Sequence, residues 1–123
     1  LVLGVGKKAN ARIPELQSER RHVDPEGIYK ADTVFVPLED GDRTEALVKM
    51  GKTVITVDLN PLSRTAKMAQ ITIVDNIVRA LPALLEAVRS LNGSSNTTLK
   101  KFAYSFDNKS NLDEALKIIK GDA

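Results

Sequence analysis

The chain has 123 residues, of which 42% are hydrophobic and 28% are charged. These values are typical of one globular domain and exclude disordered, collagenous and membrane-spanning classes. A formal net charge of +2 is too small for a broad nucleic-acid or membrane-binding surface, and the absence of cysteine excludes disulfides and thiolate metal sites. We therefore expect a cytoplasmic protein that binds neither nucleic acid nor membranes.

Four β-branched segments predict strands, at residues 1–5, 33–38, 53–59 and 71–75. Three of them have continuous apolar cores, which is typical of parallel strands covered on both faces. Helix-sized segments follow the second strand, at 43–50 with Asp42 as cap, and the third, at 62–69 with Asn60 or Ser63 as cap. This order predicts an α/β, Rossmann-like three-layer fold with a mostly parallel sheet and helices on both faces.

The N-terminal region raises two further expectations. Because the chain opens inside an apolar run without an initiator Met, we expect an upstream portion to be missing. Residues 6–31 are polar and punctuated by Pro and Gly, and a loop of this length is usually functional or disordered.

The C-terminal third begins with the strongest helical pattern, at 77–91, where Pro82 should kink the helix or mark its first turn. Residues 93–98 resemble a linker, and the alternation of Phe102, Tyr104 and Phe106 predicts a strand before a helix at about 111–119. The predicted organisation is a nucleotide-binding core at 1–92, a linker at 93–98 and a strand-helix extension of the same domain at 99–123.

In an open parallel sheet, ligands bind beyond the carboxyl ends of the strands. The second predicted strand is followed by three carboxylates in four residues, Glu39, Asp40 and Asp42, and then by Arg43 and Thr44. Such a loop can bind Mg²⁺ or a ribose, and its helix start can face phosphate. The alternative is a solvated acidic turn that caps a helix.

The third predicted strand ends in a loop of the same chemical kind. Asp58 comes at the strand end, and Ser63, Arg64 and Thr65 provide two hydroxyls and a cation at a helix start. Ordinary capping again explains the residues taken singly. Two neighbouring strands with the same pattern, acid then Arg-Thr, favour a binding site.

Two other features of the N-terminal region, a pair of glycines and the single histidine, give weaker signals. Gly4-x-Gly6 imitates the start of a dinucleotide fingerprint, but Ala9 stands where its third glycine should fall. These glycines form either a simple turn or a close backbone approach to a ligand, with Asn10 and Arg12 donating to an anion. His22 is interpreted as a surface residue of a basic turn rather than a general base.

The run VPLEDGDRTEALVKMGKTVITVDLNPLSRTAKMAQITIVDNIVRALP, at 36–82, resembles the archaeal phosphopantothenate synthetase family, also called 4-phosphopantoate beta-alanine ligase. GVGKKANARIP and SERRHVDPEGIYKAD are similar to the preceding segment of that family. The resemblance implies a homodimeric enzyme of coenzyme A biosynthesis that joins 4-phosphopantoate to beta-alanine. It also implies ATP and Mg²⁺ as cofactors and an acyl-adenylate intermediate.

The resemblance also implies site residues. ATP binding is expected from two loops, comprising Asp40, Gly41, Asp42, Arg43, Thr44, Asp58, Leu59, Asn60, Ser63, Arg64 and Thr65. Substrate binding is expected from Gly4, Gly6, Asn10 and Arg12. No general base is identified, and no residue is assigned as a certain metal ligand.

Members of that family are about twice as long as this chain, so their N-terminal half has no counterpart here. We therefore expect a C-terminal part that is not a competent ligase alone. Two alternatives stay open, a nucleotide or phospho-ligand binding module without catalysis and a structural fragment whose loops are inert without the other half.

Overall fold

A computed structural model describes residues 2–122. Its strands are β1 (Ala11–Arg12), β2 (His22–Val23), β3 (Thr33–Val36), β4 (Thr53–Val57) and β5 (Ile71–Ile73). Its α-helices are α1 (Gly41–Lys49), α2 (Arg64–Met68), α3 (Ile77–Leu91), α4 (Asn96–Ser105) and α5 (Asn108–Lys120). Two short 3₁₀ helices, Gly6–Lys8 and Glu19–Arg21, lie in the N-terminal region.

The central sheet has the order β3-β4-β5, and both of its strand pairs are parallel. Val34, Val36 and Val54 are buried on one face of this sheet, against Ala46 and Leu47 of α1. Helix α2 also packs against β4, and α4 flanks part of the opposite face. The α/β prediction is confirmed, with a parallel sheet flanked by helices.

The N-terminal region differs from its prediction. Residues Val2–Val5 form no strand, because Gly4 and Gly6 adopt φ angles of +82° and +69° that interrupt an extended backbone. Leu1 lies outside the described residues. The predicted loop at 6–31 contains the antiparallel pair β1–β2, and its Ile13 and Leu16 are buried in the main core.

The helix starts show which caps operate. Asp40, rather than Asp42, caps α1 by accepting a hydrogen bond from the backbone N–H of Arg43 at 3.2 Å, so this helix begins two residues earlier than predicted. Ser63 caps α2 by accepting from the N–H of Ala66 at 2.9 Å, which confirms one of the two predicted caps.

Helix α3 begins after its cap Asn76 and continues through Pro82. Pro82 therefore does not mark the first turn, although it leaves the carbonyl of Val78 without its helical donor. Within residues 2–122, no helix combines the length and the apolar character needed to cross a membrane.

The predicted strand around Phe102–Phe106 is wrong, because these residues belong to α4 and its C-cap. Ser95 caps this helix, so the linker is shorter than 93–98. The next helix, α5, begins at Asn108, earlier than about 111. The Asn108 side chain donates to the carbonyls of Ala66 at 2.9 Å and Ala69 at 2.8 Å, and these bonds tie the C-terminal helix to the core.

Candidate nucleotide-binding site

A crevice of about 260 Å³ lies at the carboxyl edge of the sheet. All three parallel strands contribute to it, with Pro37, Leu38, Glu39, Val57, Asp58, Leu59, Asp75, Asn76 and Ile77 as lining residues. The apolar side chains of Leu38 and Leu59 are exposed there. The crevice therefore occupies the position at which open parallel sheets bind ligands.

The segment at residues 39–44 is held mainly by charged contacts. Asp40 caps α1 and forms an ion pair with Arg20, which comes from the N-terminal region. The Nη2 of Arg43 also donates to the backbone carbonyl of Arg20 at 3.3 Å. The N-terminal region thus packs against the start of α1 through two arginines.

The segment at residues 58–65 is held by a compact hydrogen-bond network within itself. Buried Asp58 accepts from the N–H of Asn60 at 2.9 Å and from the hydroxyl of Ser63. The Asn60 side chain accepts from the N–H of Leu62 at 3.0 Å. Asp58 and Asn60 therefore shape the loop that delivers Ser63 to its capping position.

Two side chains of the 58–65 segment join it to the 39–44 segment. The hydroxyl of buried Thr65 accepts from the N–H of Asp40 at 3.1 Å and donates to Glu39 at 3.0 Å. Arg64 forms ion pairs with Asp42 and, at 3.5 Å, with Glu45. The two predicted loops are therefore brought together as one structural unit.

Gly41 allows the close approach of Arg64. A Cβ at this position would lie 2.6 Å from Nε and 3.0 Å from Nη2 of Arg64. The guanidinium thus lies directly against the backbone at the first residue of α1. This packing places a cation beside a helix N-terminus, an arrangement suited to a phosphate.

Arg43 lies between two cavities. It lines a cavity of about 410 Å³ together with Gly4, His22 and Asp24, and a second of about 220 Å³ beside the end of β3. Its Nε is buried and has no hydrogen-bond partner within residues 2–122. The same Nε lies 3.8 Å from Oδ2 of Asp40 in an ion pair. Arg43 therefore places a guanidinium that is paired with Asp40, but whose Nε makes no hydrogen bond, at the meeting point of the two cavities.

The remaining predicted residues are distributed differently. Thr44 is fully buried, and its hydroxyl has no partner in the described part of the chain, so it faces the interior. Asn10 and Arg12 are exposed, and Gly6 starts a 3₁₀ helix with open space beside it. Of the four tentative substrate residues, the structure brings Gly4 to the cavity shared with Arg43.

The sequence prediction did not assign several residues that contribute to this edge. Arg20 and Glu45 pair with Asp40 and Arg64, and only the folded chain brings them there. Asp75 could have been found, because it follows a strand as Asp58 does. Hydrogen bonds from Arg79 and from the N–H of Asn76 hold the pKa of Asp75 below its usual value.

The acidic side chains of this edge do not form a cage for a metal. Asp40 and Asp42 are each paired with an arginine. Within residues 2–122, no group of three or more His, Asp or Glu side chains is arranged to hold a metal ion. A cation at this edge would need most of its ligands from elsewhere.

Comparison with known proteins gives one consistent family. A family model described as "Phosphopantothenate/pantothenate synthetase" matches residues 1–122. A 4-phosphopantoate--beta-alanine ligase of Thermococcus kodakarensis is 57% identical over 112 residues, which are 91% of this chain and 43% of that protein. The ligase of the same name from Methanosarcina mazei is 51% identical over 115 residues, covering 94% of this chain and 45% of that protein.

The chain spans less than half the length of these curated relatives and corresponds to their C-terminal part. The family match nevertheless extends across the described fold and includes both linked segments at the carboxyl edge. The chain therefore belongs to the phosphopantothenate/pantothenate synthetase family.

Proposed function

We propose that this chain is the nucleotide-binding C-terminal part of an ATP-dependent ligase that joins 4-phosphopantoate to beta-alanine in coenzyme A biosynthesis. Two facts support the proposal, the family membership and the names of the relatives. The observation that carries the nucleotide assignment is the linkage of the 39–44 and 58–65 segments beside the crevice at the carboxyl edge.

In this proposal, ATP binds along the carboxyl edge. Leu38, Leu59 and Ile77 supply apolar surface for the base in the crevice. Arg64 and the start of α1 supply positive charge for the phosphates. Since Arg64 is ion-paired with Asp42, phosphate binding would exchange one anionic partner of this arginine for another.

The proposed reaction has two steps. A carboxylate oxygen of 4-phosphopantoate attacks the α-phosphorus of ATP, and pyrophosphate leaves as the acyl-adenylate forms. The amine of beta-alanine, after losing a proton, attacks the acyl carbon, and AMP leaves as the amide bond forms. Positioning and charge neutralisation by arginine provide the main contribution of this chain to the first step.

The cavity between Gly4 and Arg43 is the proposed location of the second anionic substrate. The Nε of Arg43 supports this assignment, because it is buried and its ion pair with Asp40 at 3.8 Å is too long to be a hydrogen bond. An acceptor on the substrate would supply the missing hydrogen bond. Gly6, Asn10 and Arg12 remain proposed contacts on the N-terminal side. The identity of this substrate as 4-phosphopantoate rests on the named relatives.

Mg²⁺ is proposed to enter with the ATP phosphates. A magnesium ion bound in this way keeps several waters and needs only one or two carboxylates, which Asp40 and Asp42 could provide. When bound, it would neutralise phosphate charge. The complete enzyme is further proposed to be a homodimer, which sedimentation velocity of a full-length relative would test.

A second candidate function is nucleotide binding without turnover. It is favoured by the fact that the chain spans 43% of the Thermococcus kodakarensis relative. We expect this chain alone to bind ATP but to form no 4'-phosphopantothenate from ATP, 4-phosphopantoate and beta-alanine. Family-like turnover by the chain alone would contradict that expectation.

Calorimetry with ATP and Mg²⁺ tests the nucleotide assignment. Arg64→Ala and Asp42→Ala should both change the affinity, and loss of the arginine should weaken binding about tenfold, as expected for a charged hydrogen bond. Arg89→Ala on exposed α3 is the matched control and should leave binding unchanged. If neither site variant changes the affinity, the assignment fails.

A further inference from the structure

The face of the sheet opposite α1 is incompletely covered. Phe35, Ile55 and Ile71 are cross-strand neighbours and form one apolar row across all three strands of the central sheet. Phe35 is 39% exposed, and the two isoleucines are only half-buried. Parallel sheets are normally covered on both faces, so the partial exposure of this apolar row is unusual.

Helix α4 turns this face into a cleft. Ile55, Ile71, Leu99, Tyr104 and Phe106 are among the residues that line a cavity of about 650 Å³ between the sheet and α4. Tyr104 is 85% exposed and Phe106 is 41% exposed, so the aromatic side chains of this wall remain largely open. The lining is therefore suited to an apolar element inserted between the two walls.

The cleft is separated from the proposed ATP site. Thr33, Thr53 and Ile71, which begin the three strands, line it, whereas the ATP crevice lies at the opposite ends of the same strands. A protein segment could therefore occupy the cleft without blocking the nucleotide. The two surfaces can be tested independently.

We propose that this cleft binds the part of the ligase polypeptide that precedes the aligned region in the relatives. The chain covers 43% of the Thermococcus kodakarensis ligase, so more than half of that protein lies outside the matched region and is available to pack against it. In this proposal, a convex helix or loop from that preceding part fills the cleft. A second copy of this chain is the other candidate occupant, and the experiment below distinguishes the two.

The proposal rests on family membership and does not depend on ATP binding. The test co-expresses this chain, carrying an affinity tag, with the untagged preceding part of the Thermococcus kodakarensis ligase. Co-purification followed by light scattering on a sizing column should show a 1:1 complex. No complex with the unchanged chain would overturn the proposal.

A double variant, Tyr104→Glu with Phe106→Glu, places two charges in the cleft and should reduce the recovered complex at least about tenfold. The matched control is Ile118→Glu with Ile119→Glu, which adds the same charge at two exposed residues of α5 and should leave recovery unchanged. Circular dichroism of each tagged chain checks that it is folded. Equal losses in both double variants would overturn the assignment of the cleft.

The same samples test the other occupant. If the chain alone forms a dimer and the Tyr104→Glu, Phe106→Glu variant makes it monomeric, the cleft binds a second copy and the proposal is wrong. ATP calorimetry on this variant should match the unchanged chain. Loss of the complex in this variant, with recovery retained in the Ile118→Glu, Ile119→Glu control, would support the cleft whatever the outcome of the Arg64 experiment.

Discussion

The 39–44 and 58–65 segments have similar compositions but different internal contacts. Asp40 and Asp42 of the 39–44 segment form ion pairs with Arg20 and Arg64, which lie outside that segment. Asp40 also contacts Arg43 within the segment, through its cap hydrogen bond and an ion pair at 3.8 Å. Asp58 of the second is buried and bonded within its own loop. The comparison indicates that the 58–65 segment presents Arg64 from a loop with its own hydrogen-bond network, whereas the 39–44 segment is held largely by ion pairs with residues outside it.

Among the substitutions that test this difference between the two segments, Asp58→Ala should cause the largest loss of stability. The change removes the acceptor for the Asn60 N–H and the Ser63 hydroxyl, so the loop before α2 loses its internal support. We expect a loss of about 2–3 kcal/mol in the free energy of unfolding, as for hydrogen bonds to a charged group. Urea denaturation measures it, with exposed Asp113→Ala as control.

A smaller loss of stability is expected from Thr65→Val, which removes the hydrogen bonds that join the two segments. The substitution keeps the side-chain shape but leaves the Asp40 N–H without its acceptor. It also removes one of the two donors to Glu39, which still accepts from the N–H of Gly41 at 3.2 Å. The expected cost is about 1–3 kcal/mol in the free energy of unfolding. Thr97→Val, at an exposed residue of α4, should have little effect, and equal losses at both sites would contradict the linking role of Thr65.

Much of the fold was predictable because its signals are local. The β-branched runs indicated β3, β4 and β5, and the apolar spacing indicated α3 with its observed bounds. The alternation of Phe102, Tyr104 and Phe106 was misleading, since the Ser95 cap and a helical backbone place Phe102 and Phe106 on the same side, one turn apart.

The candidate site was predictable only in part. Strand-end chemistry identified both loops, but the ion pair between Arg20 and Asp40 joins residues whose proximity depends on the packing of the N-terminal hairpin. The burial of Ile13, within a polar stretch, was missed for the same reason. Tertiary contacts, rather than spacing, decided these positions.

Gly41→Ala should change ligand binding more than stability. Its Cβ would displace the Arg64 guanidinium, the far end of a flexible side chain, while alanine favours the helix by up to about 1 kcal/mol over glycine. We expect weaker ATP binding with an unfolding free energy within about 1 kcal/mol of the original. In the background of Arg64→Ala, the same glycine substitution should add no further loss of affinity.

The smallest effect is expected at the third strand end, from Arg79→Ala. The pKa of Asp75 should rise toward its usual value, because the hydrogen bond from Arg79 is the main cause of its low pKa. A carboxyl whose pKa is lowered on folding stabilises the protein above its unfolded pKa and loses that contribution as the pH falls through the folded pKa.

The stability difference between the original chain and Arg79→Ala should therefore be present at neutral pH and shrink on acidification below about pH 4. NMR titration of the Asp75 carboxyl measures the pKa directly. An unchanged titration curve in the variant would contradict the assigned cause.

The position of Arg43 between two cavities has a thermodynamic consequence. An anionic ligand in the larger cavity would compete with Asp40 for this guanidinium, and Asp40 also lines the smaller cavity. A ligand in the smaller cavity would therefore find a different charge balance after the first ligand had bound. Their affinities would then be coupled, and the factor by which the first changes the affinity of the second must equal the factor by which the second changes the affinity of the first. Through this one arginine, the affinity measured for a ligand in one cavity would therefore depend on whether the other cavity is occupied.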